Sequence, residues 1–260
     1  MSYLIFHANP WIFVILLLVV LIAVIETAYR FMKAGNFEGR HVEAVGTIQT
    51  GLFTLTSFVI GLSFAQASAR FDVRRDLVVK EANAIGTTWL RADLLPPADA
   101  SEFRRVLTSY TQARLDAYQT PNDPQLYERT TKVSDDDQRE LWRLAAGALR
   151  NAPTNLNYSL LMQSLNDTID VSAEQLQALT THVPTAAMVL TLLLVVLSAL
   201  SLGLRFGLNR SRPPTLTIIF IVAYVLVINM MIDYDRPQSG FVRVNLDPLR
   251  LQLQSMQPRA

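Results

Sequence analysis

Apolar residues fall in four separate runs along the chain, and a long polar stretch divides them into two pairs. A helix needs about 20 residues to cross the hydrocarbon layer of a bilayer, and each run is near this length. The pattern therefore predicts four transmembrane helices in an all-α membrane protein. In chain order they cover residues 10–29, 46–69, 184–206 and 215–232.

The polar stretch, residues 70–183, contains no long apolar run, but its apolar positions recur with helical spacing. In residues 98–119, for example, Phe103, Leu107 and Tyr110 share one face of a helix. We expect a helical soluble domain inserted between helices two and three. The remaining residues, 236–260, form a tail that is expected to end as a short amphipathic helix.

Inside this domain, residues 120–133 are rich in polar and turn-forming residues, which predicts a loop. Ser134 would then cap the next helix, and the three aspartates that follow it would lie at the positive end of the helix dipole.

The second apolar run passes into the polar stretch without a helix-breaking residue. Residues 46–91 contain no proline and no glycine pair, whereas Pro96 and Pro97 follow directly afterwards. Since proline neither donates a backbone hydrogen bond nor tolerates a helical predecessor, the helix should end there. One long helix is predicted to leave the membrane and to become the first helix of the domain.

Two ridges run along the membrane half of this helix, at about 100° per residue. The first is aromatic and aliphatic, and we call it the aromatic ridge: Phe53, Ile60 and Phe64. The second, the small-residue ridge, lies beside it: Ser57, Gly61, Ala65 and Ala69, preceded by Thr50 and Thr54. Small residues allow helix backbones to approach closely in lipid. The small-residue ridge could pack within one chain, or it could form a seam between subunits with the aromatic ridge facing a shared axis.

Charged residues follow at the membrane exit of helix two, and a second charged group follows helix four. We call the two groups together the collar. Its members are Arg70, Arg74, Arg75, Glu81, Asn83, Asp233, Asp235 and Arg236. The collar could form a charged vestibule or a contact with anionic headgroups, or it could be a set of juxtamembrane salt bridges. Helices two and four leave the membrane on the same side, so the two aspartates are expected to reach the arginines. Asn83 and Gly86, inside an amphipathic helix, suggest close packing or a buried polar contact.

Composition narrows the classes of function. The net charge of +1 gives no general attraction for nucleic acid, and the absence of cysteine excludes thiolate chemistry. No nucleotide-binding, metal-binding or nucleophile motif is present, so we expect no enzyme, no cofactor and no metal site. Basic residues flank both sides of the predicted spans about equally, and this balance leaves the orientation in the membrane open.

Two segments resemble a known family. The first segment follows the membrane-spanning part of helix two and reads FDVRRDLVVKEANAIGTTWLRADLLP. The second begins at the end of helix four and reads IDYDRPQSGFVRVNLDPL. Both are similar to the bestrophin-like family of uncharacterised bacterial and plant membrane proteins, and the likeness covers most of the chain. The resemblance implies a homopentamer in the inner membrane, with helix two lining an anion-conducting pore and the soluble domain in the cytoplasm. Ile60 and Phe64 would then form an apolar constriction, with Phe53 as a further layer.

The chain also departs from this family pattern, because it has no acidic calcium clasp, and calcium gating is not carried over. The expected partners are the lipid bilayer, further copies of the chain and inorganic ions. Two functions follow from the sequence: a passive anion channel, or a non-conducting membrane scaffold or stress-response protein whose helical domain binds a partner.

Overall fold

The structure, a computed structural model, describes residues 10–35, 42–119, 123–236 and 241–257. The prediction of an all-helical protein is confirmed, since these residues form helices and no strand. The helices are α1 (Pro10–Ala34), α2 (Val42–Arg91), α3 (Pro97–Gln119), α4 (Pro124–Asn151), α5 (Leu156–Thr180), α6 (Thr185–Leu208), α7 (Pro214–Asp235) and α8 (Asp247–Met256).

The chain divides into two compact units. The first, which we call the apolar unit, comprises Met1–Arg70 and His182–Arg236. The second, the polar unit, comprises Phe71–Thr181 and Pro237–Ala260. Helix α2 contributes its first part to the apolar unit and its last part to the polar unit.

Four helical stretches of the described chain are long and apolar enough to cross a membrane. They lie within Trp11–Ala34, Val42–Leu94, Leu156–Leu208 and Pro214–Asp235, with mean hydropathies of 2.8, 1.5, 2.5 and 2.5. The number of candidate spans matches the sequence prediction. The second is the least apolar of the four, which reflects the hydroxyl and small residues of α2.

Helix α2 is unbroken over its 50 residues, as the sequence predicted. It passes into a short 3-10 turn at Ala92–Leu94, after which Leu95 adopts an extended conformation with φ −80° and ψ 157°. A residue directly before a proline, as Leu95 is before Pro96, favours this extended conformation. Pro97 then begins α3, because a proline is well tolerated in the first turn of a helix.

Close packing between α1 and α6 organises the apolar unit. Two glycines of α6 face α1 so closely that a side chain would not fit. A Cβ at Gly203 would lie 2.5 Å from the carbonyl oxygen of Ile25, and one at Gly207 would lie 2.6 Å from Cβ of Met32. The spacing of these glycines is the small-xxx-small pattern of membrane helix pairs, a signal that the sequence analysis did not use.

The polar unit has its own core. The helical face predicted for α3 is confirmed: Phe103, Leu107 and Tyr110 are completely buried, and Val106 is 2% exposed. These side chains pack with residues of the neighbouring helices, among them Leu141 of α4, Leu161 and Leu165 of α5, and Leu249 of α8. The predicted amphipathic helix in the tail is α8, and Leu249 and Leu253 are its buried contacts.

The loop predicted over residues 120–133 is wrong, because α4 begins at Pro124. The side chain of Asp123 accepts hydrogen bonds from the backbone N–H groups of Gln125 and Leu126, at 3.1 and 3.0 Å. Asp123 is therefore the N-cap, and Pro124 occupies the first turn. Ser134 is no cap, since it is buried inside α4. The aspartates at 135–137 also lie inside the helix and do not mark its start.

Candidate functional site

The small-residue ridge of α2 is exposed along its length in the single chain. Ser57, Gly61, Ala65 and Ala69 are all exposed, and a Cβ added to Gly61 would meet nothing within 4 Å. The side chain of Ser57 hydrogen-bonds to that of Tyr224 in α7, whereas the space beside Gly61 is open. A surface of small residues on an apolar helix remains available to another molecule, and the seam between subunits stays a prediction.

Hydroxyl groups extend the ridge toward the start of α2. Thr47, Thr50 and Thr54 each donate a hydrogen bond to a backbone carbonyl one turn earlier, at 3.1, 3.0 and 2.9 Å. Their donors are thus satisfied by the helix itself. The outward face of α2 consequently combines small volume with local polarity and carries no unsatisfied donor from these threonines.

The aromatic ridge packs inside the apolar unit. The ring of Phe53 stacks on that of Phe220 in α7, with 5.4 Å between centroids, and Phe64 meets Tyr234 at the same distance. Ile60 is 9% exposed and belongs to the core of this unit. The side chains of the aromatic ridge therefore stabilise the contact between α2 and α7 within one chain. Their predicted role at a pore constriction stays a prediction.

Polar pairs link α2 to α6 at regular intervals. The side chain of Arg205 donates to Gln49 at 3.0 Å, and the hydroxyls of Thr56 and Ser198 share a hydrogen bond of 2.9 Å. A third pair, Ser63 and Thr191, lies at 3.2 Å.

Each step of seven residues forward in α2 is matched by a step of seven residues backward in α6, so the helices are antiparallel and in a fixed register. A repeat of seven keeps contacts on one seam of a helix pair. We call these three pairs the polar ladder. The ladder was not predictable from the sequence, because its partners are more than 100 residues apart and a sequence shows only the spacing within each helix.

At the end of the apolar unit, the collar residues surround the start of α6. Both carboxylate oxygens of Asp235 accept from the backbone N–H of Val183, at 3.2 Å, and Asp235 is completely buried. The Nδ1 atom of His182 lies 3.4 Å from the same carboxylate, and Arg70 donates to the carbonyl of His182. Asp235 thus anchors the segment that leads into α6.

The other two collar residues of this unit, Asp233 and Arg236, are each 6% exposed. Asp233 is therefore buried in the last turn of α7, and Arg236 is buried directly after the helix. The predicted reach of Asp233 and Asp235 to the arginines of the collar stays a prediction.

In the polar unit, Arg74 covers the end of α5. It is 2% exposed and donates to the carbonyls of Ala178 and Thr181, at 3.0 and 2.8 Å. The last carbonyls of a helix have no partner within the helix and carry partial negative charge, which a guanidinium satisfies and neutralises.

Glu81 is completely buried, and Arg114 donates to its carboxylate at 2.5 Å. Tyr118 also donates to Glu81, at 3.2 Å, and Gln175 accepts from Arg114 at 3.0 Å. Burial by itself would lower the pKa of Arg114, but the charge of Glu81, its hydrogen bond and the nearby Tyr110 and Tyr118 together outweigh burial and raise the pKa above its ordinary value. Burial and then the negative charge of Glu81 hold the pKa of Tyr118 well above 10.0. At neutral pH Arg114 is therefore charged and Tyr118 keeps its proton.

Two other residues of this part of α2 are placed differently. Arg75 is exposed and lies 3.7 Å from Asp72 and 3.6 Å from Asp76. Asn83 is exposed, so the expected buried polar contact is wrong for this residue. The expectation of close packing holds for Gly86, where a Cβ would lie 2.8 Å from Oε1 of Gln252.

Comparison with known proteins identifies the relatives of this fold. A family model described as a Bestrophin-like domain matches residues 14–249. One similar solved structure is a variant of a bacterial bestrophin homologue from Klebsiella pneumoniae, with 17% identity, a TM-score of 0.69, and coverage of 96% of this chain and 100% of the other. Another variant of that homologue has 16% identity, a TM-score of 0.70, and coverage of 97% and 100%.

A third structure, described as a membrane protein, has 16% identity, a TM-score of 0.70, and coverage of 95% and 98%. At this level of identity the likeness establishes the fold alone. No curated protein sequence matches the chain.

Proposed function

The chain belongs to the bestrophin-like family, and on this premise we propose that it is an oligomeric, multi-pass membrane protein through which anions pass passively. The observation that carries the proposal is the outward face of α2. Along the predicted span, this face presents small and hydroxyl-bearing residues that are exposed in the single chain, and a Cβ at Gly61 would meet nothing within 4 Å. The exposed side chains of Leu55, Phe58 and Leu62 lie beside them. Such a face suits another copy of α2 or a narrow aqueous path, because lipid tails gain little from contact with small residues.

Assembly of several copies around an axis gives this face a function. The family resemblance favours a homopentamer with α2 nearest the axis. In that arrangement the hydroxyls of Thr50, Thr54 and Ser57 border the path, and Gly61 and Ala65 allow neighbouring helices to approach closely. The mean hydropathy of 1.5 for the stretch containing α2, against 2.5 or more for the others, supports a helix that is not surrounded by lipid.

The aromatic ridge is proposed to provide the apolar constriction. Phe53, Ile60 and Phe64 lie beside the outward face, and the rings of Phe220 and Tyr234 hold two of them from behind. An apolar constriction conducts only when it is wide enough to stay wet, so its side chains control the current. The polar unit is proposed to be the inserted soluble domain, on the cytoplasmic side of the inner membrane, where the collar concentrates anions at the mouth.

Current measurement tests this function. Purified full-length protein in planar bilayers should carry a chloride current whose reversal potential follows the chloride gradient. Replacing the constriction residues, Ile60→Ala or Phe64→Ala, should increase the conductance, and Leu216→Ala on the exposed side of α7 should leave it unchanged. No current over a range of salt, pH and calcium, together with a monomer by native mass spectrometry, would refute the proposal.

The absence of native cysteine allows a direct test of which face lines the path. Single variants Ser57→Cys, Gly61→Cys and Ile60→Cys can be exposed to a charged, membrane-impermeant thiol reagent during recording. Block through all three variants, slowest through Ile60→Cys at the narrow constriction, supports the proposed arrangement. Block through Ser57→Cys and Gly61→Cys alone removes the aromatic ridge from the constriction, block through Ile60→Cys alone removes the small-residue ridge from the path, and labelling of neither face removes α2 from the pore.

The second candidate is a non-conducting scaffold or stress-response protein. It is favoured by large apolar side chains exposed on the polar unit, including Leu90 at 70% and Leu156 at 75%. Exposed apolar patches often mark contact sites for other proteins. Affinity capture tests this function. A stoichiometric partner that binds through residues 98–183 and is lost in Leu156→Ser would favour it over the first.

A further inference from the structure

The polar unit contains a cavity that the proposed channel does not use. Its volume is about 430 Å³, which lies in the range of pockets for small molecules. Residues of α2, α3 and α5 form one side, and the segment Arg243–Leu246 together with Arg250 of α8 forms the other. The cavity therefore lies where the tail packs on the helical core of the same unit.

The lining of this cavity is one-sided in charge. Among the described residues, the lining includes three arginines, Arg74, Arg243 and Arg250, and no aspartate or glutamate. Arg74 also donates to carbonyls at the end of α5, so its charge offsets the partial negative charge of that helix end beside the cavity. Arg250 has an acidic partner in Asp247, which is exposed, lies 3.2 Å away and is not part of the lining.

The wall of the cavity is held in place by hydrogen bonds from behind. Tyr118 is fixed by Glu81, and Gln175, which is 1% exposed, is fixed by Arg114. These bonds order the side chains before any ligand arrives, which removes much of the entropic cost of binding. The rest of the lining combines apolar side chains with two amides: Val78, Leu179, Val244 and Leu246, and Gln119 and Asn245.

We propose that this cavity binds a small organic anion, a carboxylate or phosphate group on a compact apolar body. Guanidinium groups recognise both headgroups through paired hydrogen bonds. The apolar part of the lining would receive the body of the ligand, and the volume is several times what an inorganic ion requires. The site does not depend on conduction through α2, so it stands whether or not the protein is a channel.

Titration of the purified full-length protein with matched probes tests the site. Benzoate and phenyl phosphate are the anionic probes, benzamide is the neutral analogue of the first, and inorganic phosphate is the analogue of the second without an apolar body. By isothermal titration calorimetry, each organic anion should bind at least fivefold more tightly than its analogue. Equal binding of benzamide, or equal binding of inorganic phosphate, overturns the proposal, as does the absence of binding by either organic anion at millimolar concentration.

Variants assign the binding to this cavity. Arg243→Gln and Arg250→Gln, both at exposed positions, should each weaken phenyl phosphate binding at least fivefold. Arg139→Gln, which makes the same charge change on the exposed surface of α4, should leave the affinity unchanged. Asp247→Asn should strengthen binding two- to threefold, because Arg250 loses its competing partner.

Folding of each variant is checked by helical circular dichroism and by the melting temperature in the absence of probe. Unchanged affinity in both folded arginine variants overturns the site. If one of the two does not fold, the other decides, and the gain expected for Asp247→Asn remains as an independent measurement.

Discussion

Substitution of Gly203 by alanine should disrupt the contact between α1 and α6. The added Cβ would lie 2.5 Å from the carbonyl oxygen of Ile25, 2.7 Å from Cβ of Ala28 and 3.0 Å from Cα of Ile25. Two of these three atoms belong to the backbone, so no side-chain rotation can relieve the contact. The two helices must separate or slide, and the neighbouring close contact at Gly207 would be disturbed with them.

The size of the effect follows from the geometry. An ordinary contact begins at 3.4 Å, so the contact of 2.5 Å falls short by about 0.9 Å. Overpacking of this kind costs about 1–3 kcal/mol. Alanine also stabilises a helix by about 1 kcal/mol relative to glycine, which works in the opposite direction.

The matched control is Gly51→Ala, because a Cβ at Gly51 would meet nothing within 4 Å. Both variants gain the same helix propensity, and the difference between them isolates the clash at about 1–3 kcal/mol. For a protein of this size, that difference corresponds to a melting temperature roughly 2–12 °C lower for Gly203→Ala than for Gly51→Ala. Circular dichroism of the detergent-purified variants measures it. Melting temperatures that agree within about 1 °C would show that α1 and α6 do not pack as described.

Three further predictions concern buried polar groups. Glu81→Gln leaves a buried arginine without its counter-charge and should destabilise the folded protein by about 3–5 kcal/mol in denaturant unfolding, whereas Glu102→Gln, which breaks an exposed pair, should have little effect. A double-mutant cycle of Thr56→Val and Ser198→Ala should give a coupling of about 0.6–1.7 kcal/mol, and additive effects would contradict the polar ladder. Burial raises the pKa of Asp137, so its charged form opposes folding as the pH rises: Asp137→Asn should raise the melting temperature at pH 7 and leave it unchanged at pH 3.

The sequence was sufficient for the elements that depend on local pattern. The long helix α2, the four candidate spans and the buried face of α3 all follow from apolar runs, helical periodicity and the position of Pro96. The start of α4 was also encoded locally, in Asp123 followed by Pro124. The polar composition of residues 120–133 outweighed that signal, because a solvent-exposed first turn and a loop have similar composition.

The candidate site depends on contacts between distant segments, and here the sequence was less informative. The two ridges of α2 were visible, but their roles could be distinguished only from the partners of Phe53 and Phe64 in α7. The burial of Arg74 and Glu81 was not predictable for the same reason. Helix periodicity places both residues on one face of α2 but does not show which segment covers that face. Arg114, which pairs with Glu81, is 33 residues away and was not recognised as a partner.

These observations together constrain the environment of α2. Its buried side carries the polar ladder, which is satisfied by α6, and the aromatic ridge, which packs on α7. The small-residue ridge is exposed, although Ser57 hydrogen-bonds to Tyr224 of α7. A helix in lipid normally turns its large apolar side chains outward and its small or polar residues toward other helices. Gly61, Ala65 and Ala69 lie on a side of α2 that is exposed in the single chain, next to the exposed side chains of Leu55, Phe58 and Leu62, which suit lipid. The oligomer proposed above would cover these small residues with another copy of the chain, which is the arrangement that small residues favour in lipid.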